Sequence, residues 1–143
     1  MSASNNKRAV ERLLSEVWSR GETAPVADLI ASRYTIFHDP GDPWDGQTLD
    51  RDGYAARLVQ SRAPFPDQAF SIVKLIAGGD DVAVTWNWSG THRGAVAGIA
   101  ATNRVIRMSG ATIYSFEGSS IVGHWQVTDR LGVFRQLSER PNI

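Results

Sequence analysis

The side chains able to move a proton at neutral pH are few in this chain. They are three histidines, His38, His92 and His124, and the carboxylates near them. There is no cysteine, which removes thiolate nucleophiles, disulfides and Cys-based zinc sites together. The histidines are too scattered to form an i, i+4 pair on a helix, so no metal centre is expected. Neither a Gly-rich phosphate loop nor a Ser elbow occurs. Acid–base chemistry is open to the residues present. Its candidate catalytic residues are His38 and Asp39, which precede Pro40 at a strand-to-turn junction, with His124 and Asp129. His124 shares a strand face with Val122, Gln126 and Thr128, and its proton affinity can be tuned through neutrality. Each also has an ordinary reading: Asp39 as turn chemistry, Asp129 as a helix N-cap, His124 as a structural histidine. The residue types leave both readings open.

A second set of residues could bind rather than react. Trp86 and Trp88 fall on one face of an alternating run, and Met108, Thr112 and Tyr114 share a face of the next. Trp44 lies in a loop with Asp42 and Asp45 and reads as a flap. With Gln126, these are the candidate substrate-binding residues. Aromatic walls favour a small apolar ligand, since burial is worth about 25 cal/mol per Å². The same tryptophans would serve equally well as core.

These residues need a scaffold. Length 143 fits one domain, residues 1–143, and a net charge of zero offers no footprint for nucleic acid or an anionic membrane. No run approaches the ~18 apolar residues of a membrane span. The N-terminus lacks an apolar signal core, and with no cysteine a cytoplasmic location is expected. Apolar spacing predicts a helix from about Asn5 to Arg20, a short one around Pro25, and a third to Arg62 capped by Thr48 or Asp50, with Tyr54, Leu58 and Val59 on one face. Tyr34–His38 reads as a strand. Strands then follow at Ala69–Ala77, Val82–Gly90, Asn103–Phe116 (bent at Gly110) and Ile121–Thr128, with a terminal helix from Asp129 to Leu137. Helices before strands imply an α+β fold, a curved antiparallel sheet of about four to six strands wrapped around the N-terminal helices. Ile121, Trp125 and Val127 give the outer side of the last strand an apolar surface, which predicts a homodimer through the outer sheet face.

The stretch Ile121-Val122-Gly123-His124-Trp125-Gln126-Val127-Thr128-Asp129-Arg130-Leu131-Gly132, with Arg135-Gln136-Leu137, resembles the closing motif of the SnoaL-like polyketide cyclases of the NTF2-like superfamily. His38-Asp39-Pro40 after a helix pair is also similar. The resemblance implies an NTF2-like cone and a cofactor-free enzyme of the aldol cyclase or ketosteroid isomerase type, acting on a small apolar or polyketide-like molecule. The alternative is a non-catalytic binding or dimeric assembly module. In that family an Asp on the final strand carries the proton, with a His on the preceding strand; here the two positions fall on Gln126 and Thr112. Asp39-Pro40 looks like the Asp-Pro of the isomerases, whose oxyanion donors would fall near Leu14 and Thr112.

Overall fold

The computed structural model describes residues 3–139. Helix α1 (Ala3–Arg12) runs into a wider-wound segment, Leu13–Ser19, in which Arg20 N–H reaches the Ser15 carbonyl five residues back. The looser turn buries Leu13, Leu14, Val17 and Trp18 together. Helix α2 (Val26–Leu29) starts after Pro25, whose fixed φ suits a first turn. Strand β1 (Ile30–His38) begins four residues before the expected Tyr34, and a short β2 (Thr48–Leu49), not expected at all, pairs with it. Helix α3 (Arg51–Arg62) is capped by Asp50, whose carboxylate accepts from Gly53 N–H at 2.7 Å. Its inward face carries Tyr54, Arg57 and Leu58; Val59, expected there, is 62% exposed.

Four long strands follow: β3 (Ala69–Gly78), β4 (Asp81–Thr91), β5 (Val105–Glu117) and β6 (Ser120–Thr128). Helix α4 (Arg130–Ser138) closes the described chain. The six strands form one sheet in the order β2-β1-β6-β5-β4-β3. All pairs are antiparallel except β1 with β6, which is parallel, so the sheet is mixed rather than wholly antiparallel. Its inner face packs on α1, α3 and the segment between them. Val82, Val84, Trp86 and Trp88 alternate into that core as their period of two requires.

Two irregularities decide which side chains point inward. Between Ser115↔Gly123 and Phe116↔Ile121 the β5–β6 register gains a residue, which turns Ile121 into the core; it is fully buried, not on the outer face as the simple alternation implied. A second shift, between Ile36 and His38 in the β1–β6 pairing, turns His38 outward and leaves the next residue, Asp39, inside. The register is regular at Gly110, where a bend was expected. Glycine is required there because a Cβ would sit 2.4 Å from the Trp86 ring and 2.8 Å from the Val127 carbonyl. Beyond the end of β6, Gln136 of α4 takes over the free edge of β5: it accepts from Arg107 N–H at 2.8 Å and donates to its carbonyl at 2.6 Å. No described helix is long and apolar enough to cross a membrane.

Candidate active site

The fully buried side chain of Asp39 organises the interior. β1 delivers it to the point where the inner face of β6 presents His124 and Gln126. One carboxylate oxygen, Oδ2, accepts from His124 Nε2 at 2.9 Å, Gln126 Nε2 at 3.1 Å and Arg57 Nη2 at 3.4 Å; the other accepts from Arg130 Nη2 at 3.4 Å. Because a carboxylate only accepts, His124 must carry its proton on Nε2. Its Nδ1 is then the acceptor for the Tyr34 hydroxyl, 2.5 Å away. The result is a continuous buried line from the Tyr34 O–H through the imidazole to the carboxylate.

A second line meets it at Asp39. Trp86 Nε1 donates to Thr112 Oγ1 at 2.9 Å, and Thr112 donates to Gln126 Oε1 at 2.6 Å. This fixes the amide of Gln126 with its N–H₂ toward Asp39. Arg57, 5% exposed, bridges Asp39 to Asp42 at 3.1 Å and stacks between the rings of Trp18 and Trp44, 5.0 and 5.8 Å from their centroids. A buried cation held by two carboxylates and two aromatic faces is well compensated.

Beside this network lies an internal hollow of about 60 Å³, lined by Leu14, Trp18, Tyr34, Tyr54, Arg57, Phe70, Tyr114, His124 and Gln126. Space of that size admits a few waters or the reacting end of a larger molecule. Its electrostatics follow from burial and partners. Burial works against ionised Asp39, but the His124 hydrogen bond and the charges of His124, Arg57 and Arg130 outweigh it and hold the carboxyl below its ordinary range. Burial keeps His124 below the ordinary histidine value despite the pull of Asp39, so the imidazole is neutral at pH 7. Burial raises all three tyrosines: Tyr34 well above the usual value, Tyr54 to about 12, and Tyr114 strongly upward. The hollow is therefore lined by neutral hydroxyls that donate, next to a neutral imidazole that can take a proton.

Of the residues singled out from the sequence, the structure brings Asp39, His124, Gln126, Thr112 and Tyr114 together. His38 lies apart, on the outer face, stacked on Trp125 at 4.5 Å. Asp129 also lies apart and caps α4 by accepting from Gly132 N–H at 2.9 Å. Trp86 and Trp88 face inward but pack against Phe70 and Phe65 at 4.9 Å; neither lines the hollow. Trp88 and Met108 instead border, with Asp129, an open groove of about 570 Å³. Trp44 covers Arg57 rather than the hollow. The sequence reading missed Tyr34, Tyr54 and Arg57. Arg57 had left a signal: it sits three residues from Tyr54 and beside Leu58, a charge on an otherwise apolar stripe. Among the described residues no group of three or more His, Asp and Glu side chains is placed to hold a metal.

The comparisons with known proteins agree with this fold. No curated protein matches the chain. A structure from Acidithiobacillus ferrooxidans, named as a polyketide cyclase, is 48% identical with a TM-score of 0.90, over 96% of this chain and 97% of that one. IdmH of Streptomyces antibioticus, also named as a polyketide cyclase, is 27% identical at a TM-score of 0.81, over 94% and 99%. The SnoaL-like polyketide cyclase of Agrobacterium tumefaciens, at 19% identity and a TM-score of 0.74 over 93% and 98%, shares the fold. The family model for SnoaL-like polyketide cyclases matches residues 8–137, and the chain belongs to that family, on the NTF2-like fold.

Proposed function

We propose that this protein catalyses cofactor-free proton transfer on a small, polyketide-like carbonyl compound, with Tyr34, His124 and Asp39 as the relay. The observation that carries the reading is the buried line of hydrogen bonds, Tyr34 O–H to His124 Nδ1 and Nε2–H to Asp39, at the wall of the hollow. The substrate α-proton passes to the Tyr34 oxygen as the Tyr34 proton passes to His124 Nδ1. The C–H electron pair stays on the substrate as an enolate, and the imidazolium formed lies against Asp39. In a cyclisation the enolate carbon then bonds a second carbonyl of the same molecule, and the proton returns to the new alkoxide. Asp39, held below the usual carboxylate range, orients His124 and stabilises its cation rather than taking the proton itself. It supplies from β1 the carboxylate that Gln126 does not supply from β6.

The test is deuterium exchange at the activated methylene of a β-keto ester, followed by proton NMR. Wild type should exceed buffer, and Tyr34→Phe and His124→Gln should each lose about 10²- to 10⁴-fold. A protein that binds the ester without accelerating exchange would be the non-catalytic module instead. We also place two copies face to face through the outer sheet, where Phe37, Ile113, Trp125 and Val127 are 40–53% exposed, and expect the protein in the cytoplasm. Sedimentation of Trp125→Glu should show monomer where wild type shows dimer.

A further inference from the structure

Within that reading, on which this inference rests, the hollow has a surplus of donors and a shortage of acceptors. Arg57 lines it, and its Nε–H is buried with no partner among the described residues. Tyr114 lines it 5% exposed, and its hydroxyl makes no hydrogen bond among the described residues. Tyr54 accepts from Trp18 Nε1 at 2.9 Å, while its own proton has no acceptor there. The acceptors, by contrast, are occupied: Gln126 Oε1 by Thr112, His124 Nδ1 by Tyr34, and Asp39 by four donors. A buried donor left unmatched is costly; Arg57 Nε–H is one, and with two hydroxyl protons unassigned beside it the hollow is the complement of something that brings lone pairs. Thr112, which the sequence suggested as an oxygen-binding donor, already gives its proton to Gln126.

We infer that the Tyr114 hydroxyl and Arg57, with Tyr54, form the oxyanion site of this protein and hold the enolate oxygen of the substrate. Both residues line the hollow beside the relay, where preorganised dipoles act on developing charge. The small volume fits a carbonyl and its immediate carbons, not a whole polycyclic ligand.

Acetylacetone tests this by equilibrium binding alone, because its enolate and neutral forms differ in ultraviolet absorbance. Wild type should bind the enolate preferentially and lower the apparent pKa of the bound diketone. Tyr114→Phe removes a hydroxyl with no internal partner, so its folding should match wild type while enolate affinity falls roughly 10- to 100-fold. Arg57→Lys should weaken enolate binding at least as much. Acetone, which stays neutral, should be nearly indifferent to both changes. His124→Gln should abolish exchange yet keep enolate binding, which separates the two claims. Exchange that His124→Gln leaves intact would overturn the relay alone. Enolate affinity unchanged in Tyr114→Phe and Arg57→Lys, or an unshifted diketone pKa in wild type, would overturn the oxyanion site alone.

Discussion

Replacing Asp39 by Asn tests the network at its centre, because the change keeps shape and removes charge. The carboxylate accepts four hydrogen bonds from four side chains on β6, α3 and α4. The amide has one acceptor oxygen, so whichever way it turns, its N–H₂ confronts a donor: His124 and Gln126 on one side or Arg130 on the other. Among the described residues Arg57 keeps only Asp42 as a counter-ion. Breaking a buried pair by removing one partner costs about 3–5 kcal/mol, of a total that is about 5–15 kcal/mol for a domain. The two arginine contacts, at 3.4 Å, are long, which favours the lower half of that range. For a chain of this size the loss corresponds to a fall in Tm of roughly 10–15 °C. Urea unfolding followed by tryptophan fluorescence measures it, with the slope m checked for constancy. Asp42→Asn, at a more exposed site whose carboxylate accepts from Arg57 at 3.1 Å and from Trp44 N–H at 2.8 Å, should cost about 1–2 kcal/mol. An Asp39→Asn variant within about 1 kcal/mol of wild type would mean that the four donors are better satisfied elsewhere, and the reasoning would fail.

Other outcomes follow from single contacts. Because the folded-state values of both His124 and Asp39 are depressed, stability from each is complete above its unfolded value and lost as pH falls through the folded one. The unfolding free energy should therefore fall below about pH 6.5 and again below about pH 4, and His124→Gln should flatten the first fall. Gly123→Ala would put a Cβ 2.3 Å from the Thr35 carbonyl, opening the β1–β6 pairing; little soluble folded protein is expected by circular dichroism. Asp129→Ala removes the α4 cap and should cost about 1 kcal/mol in thermal melts, without changing α-proton exchange.

Much of the architecture was legible because periodicity reports burial directly. The alternation of β4 placed Val82, Val84, Trp86 and Trp88 on the inner face, and the Asp50 and Asp129 caps followed from residue type. What escaped is what single-residue slips control. His38 and Ile121 lie one residue beyond register shifts, and a shift of one reverses the face. The shift at His38 lies in a pairing with a strand far along the chain, which no local pattern marks. The parallel β1–β6 pairing, which brings Asp39 to His124, is likewise a long-range event. Tyr34 and Tyr54 escaped for a different reason: an aromatic at a core position looks the same whether its hydroxyl is idle or the end of a relay.

The central claim is the protonation pattern of that relay, and ¹⁵N NMR of His124 observes it directly. At pH 7 the account predicts a neutral ring with the proton on Nε2 and an unprotonated Nδ1 accepting from Tyr34. The ring should gain its second proton only below the ordinary histidine range. In Tyr34→Phe the Nδ1 resonance should move to that of an unbonded nitrogen. An imidazolium at pH 7, or a neutral ring protonated on Nδ1, would contradict the account.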